Sequence, residues 1–227
     1  MKFEVLHVDN HLLALHKPAG VPVVPDESGD ESLYDAAREW IRHEFAKPGE
    51  VFLGVVHRLD RPVSGVVLFA RTSKAASRLS EQFRSHSVRK LYFGVSETRP
   101  RGEGGVLEQW LDKDAERNVV SVLERERAGA QLAVTRWRLA RFERGLAQLD
   151  LEPRTGRPHQ LRVAAASLGS PLLGDLKYGA ARPLPDKSVG LHAAELEVEH
   201  PTLRTPLVLR TPPPATEWWE WRRAGGS

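Results

Sequence analysis

The sequence predicts an α+β protein built on a largely antiparallel sheet, and three observations carry that reading. Short apolar runs rich in Val and Leu recur between Gly, Pro and Asp-Asn breaks, the mark of strands joined by turns. Only a few stretches place apolar residues at helical spacing. The segment 132–152 alternates, Thr135, Trp137 and Leu139 against Arg136 and Arg138, then Leu149 and Leu151 against Asp150 and Glu152, around Arg144-Gly145. That pattern is a hairpin with one buried face.

Each element follows in order. The opening, residues 3–15, reads as two strands around Asp9-Asn10, and Lys17-Pro18-Ala19-Gly20 breaks the pattern. Ser32 is an N-cap for a helix carrying Leu33, Ala36, Ala37, Trp40, Ile41 and Phe45, which Lys47-Pro48-Gly49 stops. Two Val-rich runs, 51–56 and 66–70, read as buried strands. Thr72 caps a second helix with Ala75, Ala76, Leu79 and Phe83, ending near Ser85, and 90–95 is a strand. Residues 97–105 look like a loop, and the charged stretch 112–129 reads as peripheral strands and turns. Pro158 opens a helix whose inner face is Leu161, Ala165 and Leu168 and which Gly169 ends. Strands at 191–200 and 207–209 meet at His200-Pro201, and Trp218, Trp219 and Trp221 close the chain. We expect one domain over residues 1–227.

The composition removes several chemistries. With 227 residues, 41% hydrophobic and 28% charged, the chain has the make-up of a globular protein large enough to bury a core without staples. Cysteine is absent, which excludes disulfides, thiolate metal sites, iron-sulfur clusters and a cysteine nucleophile. Nine His residues remain, but no H-x-x-x-H pair falls on a helix beside a carboxylate, so no metal or other cofactor is expected. No apolar run approaches the roughly 20 residues of a membrane helix, and the expected location is the cytoplasm. The net charge of +3 says little, yet the 33 bases are 25 Arg and 8 Lys. Arg holds phosphate bidentately, and a pI near 9.3 agrees with a polyanion partner. A GC-rich genome gives the same bias.

Polar residues concentrate at the ends of apolar elements in four places. These are Lys17-Pro18-Ala19-Gly20, His57-Arg58-Leu59-Asp60, Lys90-Leu91-Tyr92, and the stretch from Glu152 to Arg162 that contains Thr155-Gly156-Arg157-Pro158-His159-Gln160-Leu161-Arg162. Taken singly, each has an ordinary reading. Asp60 fits a polar turn between two strands, Tyr92 a strand aromatic, Arg162 an exposed helix Arg, and His159 or Gln160 a helix cap.

Together, with Gly169-Ser170-Pro171-Leu172-Leu173-Gly174-Asp175-Leu176-Lys177-Tyr178-Gly179, Leu191-His192-Ala193 and Glu199-His200-Pro201, the set resembles the RluA-type pseudouridine synthases, in order and over nearly the whole chain. The resemblance implies the pseudouridine synthase fold, with a catalytic cleft across the sheet, in a short form without the N-terminal S4-type module of many larger relatives. It implies isomerisation of uridine in structured RNA, transfer or ribosomal, by a monomer that needs no cofactor. By the same resemblance Asp60 is the catalytic carboxylate, Arg162 keeps it ionised, Tyr92 stacks on the base and takes a proton, and Arg58 fills the gap left by the extruded uridine. The implied RNA contacts are His57, Lys17, Lys90, Arg154, Arg157, His159, Gln160, Lys177 and Tyr178. Val63 and Ala164 depart from the family pattern, where Thr and His are common.

Two other readings compete. One is an RNA-binding or RNA-chaperone relative that has lost catalysis, which the presence of Asp60, Tyr92 and Arg162 argues against. The other is a hydrolase using His57, Asp60 and Ser64, but no strand-turn-helix nucleophile elbow surrounds Ser64.

Overall fold

The computed structural model describes residues 1, 3–46 and 49–225, so the predicted Lys47-Pro48 helix stop lies outside the described residues. The chain folds as two compact units, residues 1–89 with 194–212, and residues 90–193 with 213–227.

In the first unit, β1 (Glu4–Val8) and β2 (Leu12–Lys17) form the predicted hairpin, and β2 pairs antiparallel along its length with β4 (Ser64–Ala70). β10 (Leu191–Glu199), whose first three residues fall in the second unit, neighbours β4 and pairs with β11 (Pro206–Arg210). Helix α1 (Leu33–Glu44) starts at Ser32, whose Oγ accepts the Asp35 N–H, and α2 (Ser73–Arg84) starts at Thr72, whose hydroxyl accepts the Ala75 N–H. Both caps are those the sequence predicts. Leu12, Ala14, Val66, Leu68 and Ala70 meet Ala75 and Leu79 of α2, while Phe69 meets Tyr34 of α1 edge to face at 6.4 Å. Alternate side chains of β2 and β4 thus face different helices. This is why Leu12-Leu13-Ala14-Leu15 and residues 66–70 are unbroken apolar runs instead of alternating ones.

One predicted strand is a correction. Of residues 51–56 only Gly54–Val55 form a strand, β3, which pairs with Phe69 and Ala70; Phe52 is 51% exposed. The run is short because the chain leaves the ladder to reach His57.

The second unit carries β5 (Arg89–Ser96), whose first residue falls in the first unit, with β6 (Gly104–Asp114), β7 (Val119–Leu123), β8 (Gln131–Glu143) and β9 (Leu146–Pro153), in the antiparallel order β5-β9-β8-β6-β7. The β8–β9 turn is Arg144-Gly145, with φ of 51° and 77°, the left-handed pair that a two-residue hairpin uses. Helix α3 (Gln160–Ser167) lies on the inner sheet face, where Val163 packs with Leu111, Val120 and Ala133. Gly169 follows its C-terminus at φ 73°. A 3-10 turn (Leu176–Tyr178) comes next. The C-terminal segment, with α4 (Glu220–Arg223), covers the sheet's β5–β9 region. There Gln148 Nε2 donates to the Trp218 carbonyl at 3.0 Å, and Arg222 reaches Asp150 at 2.6 Å while lying 4.1 Å over the Phe93 ring.

Candidate active site

Asp60 is half-buried at the start of a turn closed by the Val63 N–H donating to its carbonyl at 3.0 Å, and β4 begins one residue later. Val63 itself is buried, so the departure from Thr is met by packing. The turn is pinned from the other side by the loop after β2. Gly20 N–H donates to the Arg61 carbonyl at 2.8 Å, Arg61 Nε donates back to the Gly20 carbonyl at 2.9 Å, and the Arg61 guanidinium pairs with Asp30. Leu59 is buried and Arg58 exposed, so the peptide anchors through one side chain and offers the other to solvent.

Lys17 belongs to the same pinning. It is wholly buried, and its Nζ donates to the carbonyls of Pro18, Val21 and Arg61 at 2.9, 2.7 and 3.0 Å. Three N–H groups meet three carbonyls, which leaves none for a phosphate. The expectation of an RNA contact is therefore corrected. Burial pushes its ammonium down to about 7, against the upward pull of the Asp60 charge. Lys17 thus acts on Asp60 through its field and through the turn.

In the second unit, Tyr92 is half-buried on β5 opposite Leu151. Lys90, two residues earlier on the same strand face, is half-buried, and its Nζ donates to the Thr155 carbonyl at 3.3 Å. Burial lowers its ammonium to about 8.

Arg162 is more deeply buried than a helix position bordering a cleft implies, at 6% exposure. Its Nε and Nη2 donate to the two carboxylate oxygens of Asp175 at 2.8 and 2.7 Å, a bidentate pair. The Tyr178 ring lies 5.0 Å from its guanidinium carbon. The Tyr178 hydroxyl in turn accepts the Val120 N–H at 3.0 Å and sits 2.6 Å from His159 Nδ1. His159, at φ 51°, is in the left-handed region at the start of α3. The 3-10 turn thereby ties α3 to β7 and fixes the guanidinium. Sequence reasoning misses Asp175 and this tie as site features, although the Gly174-Asp175 step is the signal, since a buried Arg demands a carboxylate.

The remaining predicted contacts divide. His57 and Gln160 are structural: the Leu68 N–H donates to His57 Nε2, and Gln160 bonds Thr155, the Arg157 N–H, Val134 and Thr135, cross-linking α3 to β8. Gln160 spends both of its amide atoms inside the fold, and its expected RNA contact is corrected accordingly. Tyr178 likewise spends its hydroxyl inside the fold. Arg154 is exposed near Glu152, Arg157 is half-buried with Nε on the Leu132 carbonyl, and Lys177 is exposed with Nζ on the Asn118 carbonyl. Arg58, Arg154 and Lys177 are thus exposed, while Arg157 and Lys90 are half-buried. Among the described residues no group of three or more His, Asp or Glu has metal-holding geometry, and no helix is long and apolar enough to cross a membrane.

An antiparallel sheet with its helices, an Asp-bearing turn pinned to a Lys-Pro loop, and a buried Arg on a TGR-x-HQ-L-R helix are the features that the resemblance to RNA-modifying isomerases calls for. The chain belongs to the RNA pseudouridylate synthase family, whose defining pattern matches residues 11–167. Among its relatives, tRNA pseudouridine synthase C of Salmonella typhimurium is 34% identical, over 91% of this chain and 84% of that protein. Ribosomal large subunit pseudouridine synthase D of Xanthomonas campestris is 34% identical over 92% of this chain and 66% of its own length. Human RNA pseudouridylate synthase domain containing 4 superposes with a TM-score of 0.79 at 27% identity, covering 96% of this chain and 92% of that one. The protein is an RNA pseudouridine synthase.

Proposed function

We propose that this chain, as a cytoplasmic monomer, converts uridines of structured transfer or ribosomal RNA to pseudouridine with Asp60 as the reacting carboxylate. The observation that carries the reading is the Asp60 turn, an ionisable side chain held at the head of a buried strand with a buried ammonium acting on it and an exposed Arg58 beside it. The relatives whose names give a substrate act on both RNA classes, and the exposed Arg58, Arg154 and Lys177 suit a phosphate backbone.

The reaction is an isomerisation. The N1–C1′ bond of uridine breaks, the base turns, a C5–C1′ bond forms, and the C5 proton is lost while N1 regains one. The Asp60 carboxylate either adds to C1′ or assists elimination there. By family resemblance Tyr92 meets the base and receives the C5 proton, and Arg162 supplies positive charge to the carboxylate. Shape recognises the stem, and the pocket reads the extruded uridine.

The test is to map pseudouridine across total RNA from cells with and without the gene. Loss of one or a few sites in transfer or ribosomal RNA, restored by the wild-type gene, supports the reading. An unchanged map overturns it.

A further inference from the structure

β4 meets β2 along one edge from Gly65 to Ala70. Its other edge is shared between β10 and the short β3, which pairs only with Phe69 and Ala70. Continued by one residue, β3 would reach Leu68, but the chain leaves the ladder after Val55. Leu68 is wholly buried, and an N–H left there without an acceptor is unfavourable. A side chain takes the place of the missing strand. The Leu68 N–H donates to His57 Nε2 at 2.9 Å, and the imidazole stacks on Phe83 of α2, ring centroids 4.8 Å apart and planes 15° from parallel.

That bond closes the chain from His57 to Leu68 into a loop, and Asp60 lies inside it. Of the two limbs of the Asp60 turn, the outgoing one is fixed by β4 and by the Arg61 contacts with Gly20. The incoming one is Arg58-Leu59, held at its start by the ring. A nitrogen that accepts an N–H carries no proton, so the ring's hydrogen sits on Nδ1.

We propose that His57 is a positioning residue for pseudouridine formation: its Nε2 ends the β4 ladder at Leu68, and its stacking on Phe83 fixes the limb that carries Asp60. It does so without touching RNA. The inference rests on Asp60 being the reacting carboxylate.

A carboxylate displaced by about 1 Å costs the chemical step and not the affinity, on the order of 100-fold. His57→Phe keeps the stack and removes the acceptor. On an unmodified RNA transcript in which the wild-type protein forms pseudouridine, its single-turnover rate should fall on the order of 100-fold, with the Kd for that RNA unchanged within a few fold. His57→Gln, whose Oε1 accepts a hydrogen bond, should recover part of the rate. Nitrogen-15 NMR of the wild-type protein should show a protonated Nδ1 and a bare Nε2 coupled across the bond to the Leu68 amide. A wild-type rate in His57→Phe, a raised Kd at unchanged rate, or an Nε2–H tautomer would each overturn the proposal. The NMR arm stands even where the Phe variant does not fold. Asp60→Asn run alongside separates the two readings. If it retains the rate, the carboxylate assignment fails; if it is inactive while His57→Phe is not, only the His57 proposal fails.

Discussion

Two buried cations show how single residues set up this site. Arg162 survives in the interior because Asp175 meets it bidentately, with side-chain exposures of 7% and 0%. Removing one member of such a pair leaves an uncompensated charge, so Asp175→Ala should lower stability by about 3–5 kcal/mol in urea unfolding. Lys17 has no carboxylate against it but three carbonyls, and Lys17→Met would strand all of them. We expect a net loss of about 2–4 kcal/mol at pH 7, part of the hydrogen-bond loss being offset by relief of a buried charge. The pH dependence has a definite sign. Lys17 titrates near 7 in the folded protein and near 10.4 unfolded, so between these values the unfolded chain binds more protons. Its contribution to stability is complete above the unfolded value and lost as pH falls to about 7, with a slope of at most about 1.4 kcal/mol per pH unit. Lys90, lowered to about 8, adds a slope of the same sign above that value, so in urea unfolding from pH 7 to 10 the slope of the wild-type protein should exceed that of Lys17→Met by up to this amount.

At the scale of elements, caps and glycines decide where the reactive residues stand. Ser32 is buried and caps α1, and Ser32→Ala should cost about 1 kcal/mol in thermal or urea unfolding. Gly174 precedes Asp175 at φ 73°, and a Cβ there would lie 2.5 Å from the Ser188 carbonyl oxygen and 2.9 Å from Leu184 Cγ. Gly174→Ala must therefore shift the 3-10 turn that holds Arg162. Pseudouridine formation on a target RNA should drop at least tenfold, a loss of about 1.4 kcal/mol or more in the barrier, and a wild-type rate would contradict the role given to that turn. Capping and periodicity made α1, α2 and the β8–β9 hairpin legible in the sequence, because those signals are local. The strand at 51–56 misled for the opposite reason. Its apolar composition is that of a strand, but its partner edge on β4 is also taken by β10, a competitor distant in sequence. The strand β6 also went unassigned over Val106 to Trp110, where Gly104 and Gly105 made a loop the natural reading. In the same way the sequence marks Lys17 and Gln160 as polar residues near a site, while only the fold shows that their polar atoms are spent on carbonyls, amides and hydroxyls inside it.

For the whole molecule, the Arg-rich composition acquires a division of labour. Arg162 pairs with the buried Asp175, and Arg222 and Arg138 both reach the half-buried Asp150. Arg58 and Arg154 face solvent. If only two phosphates are neutralised, RNA affinity should fall about tenfold between 50 and 200 mM salt, and binding titrations over that range would show a steeper fall for each further contact. The family assignment rested on motifs spread over the whole sequence, and it was legible because those motifs keep their order. Which of their residues touch RNA was not, since burial separates contact residues from scaffold. The proposed chemistry turns on Asp60, and the most direct measurement is pseudouridine formation by Asp60→Asn on an RNA that the wild-type protein modifies, with binding measured in parallel. The isosteric change should abolish product while leaving the Kd within a few fold; product formed at a near-normal rate would contradict the assignment.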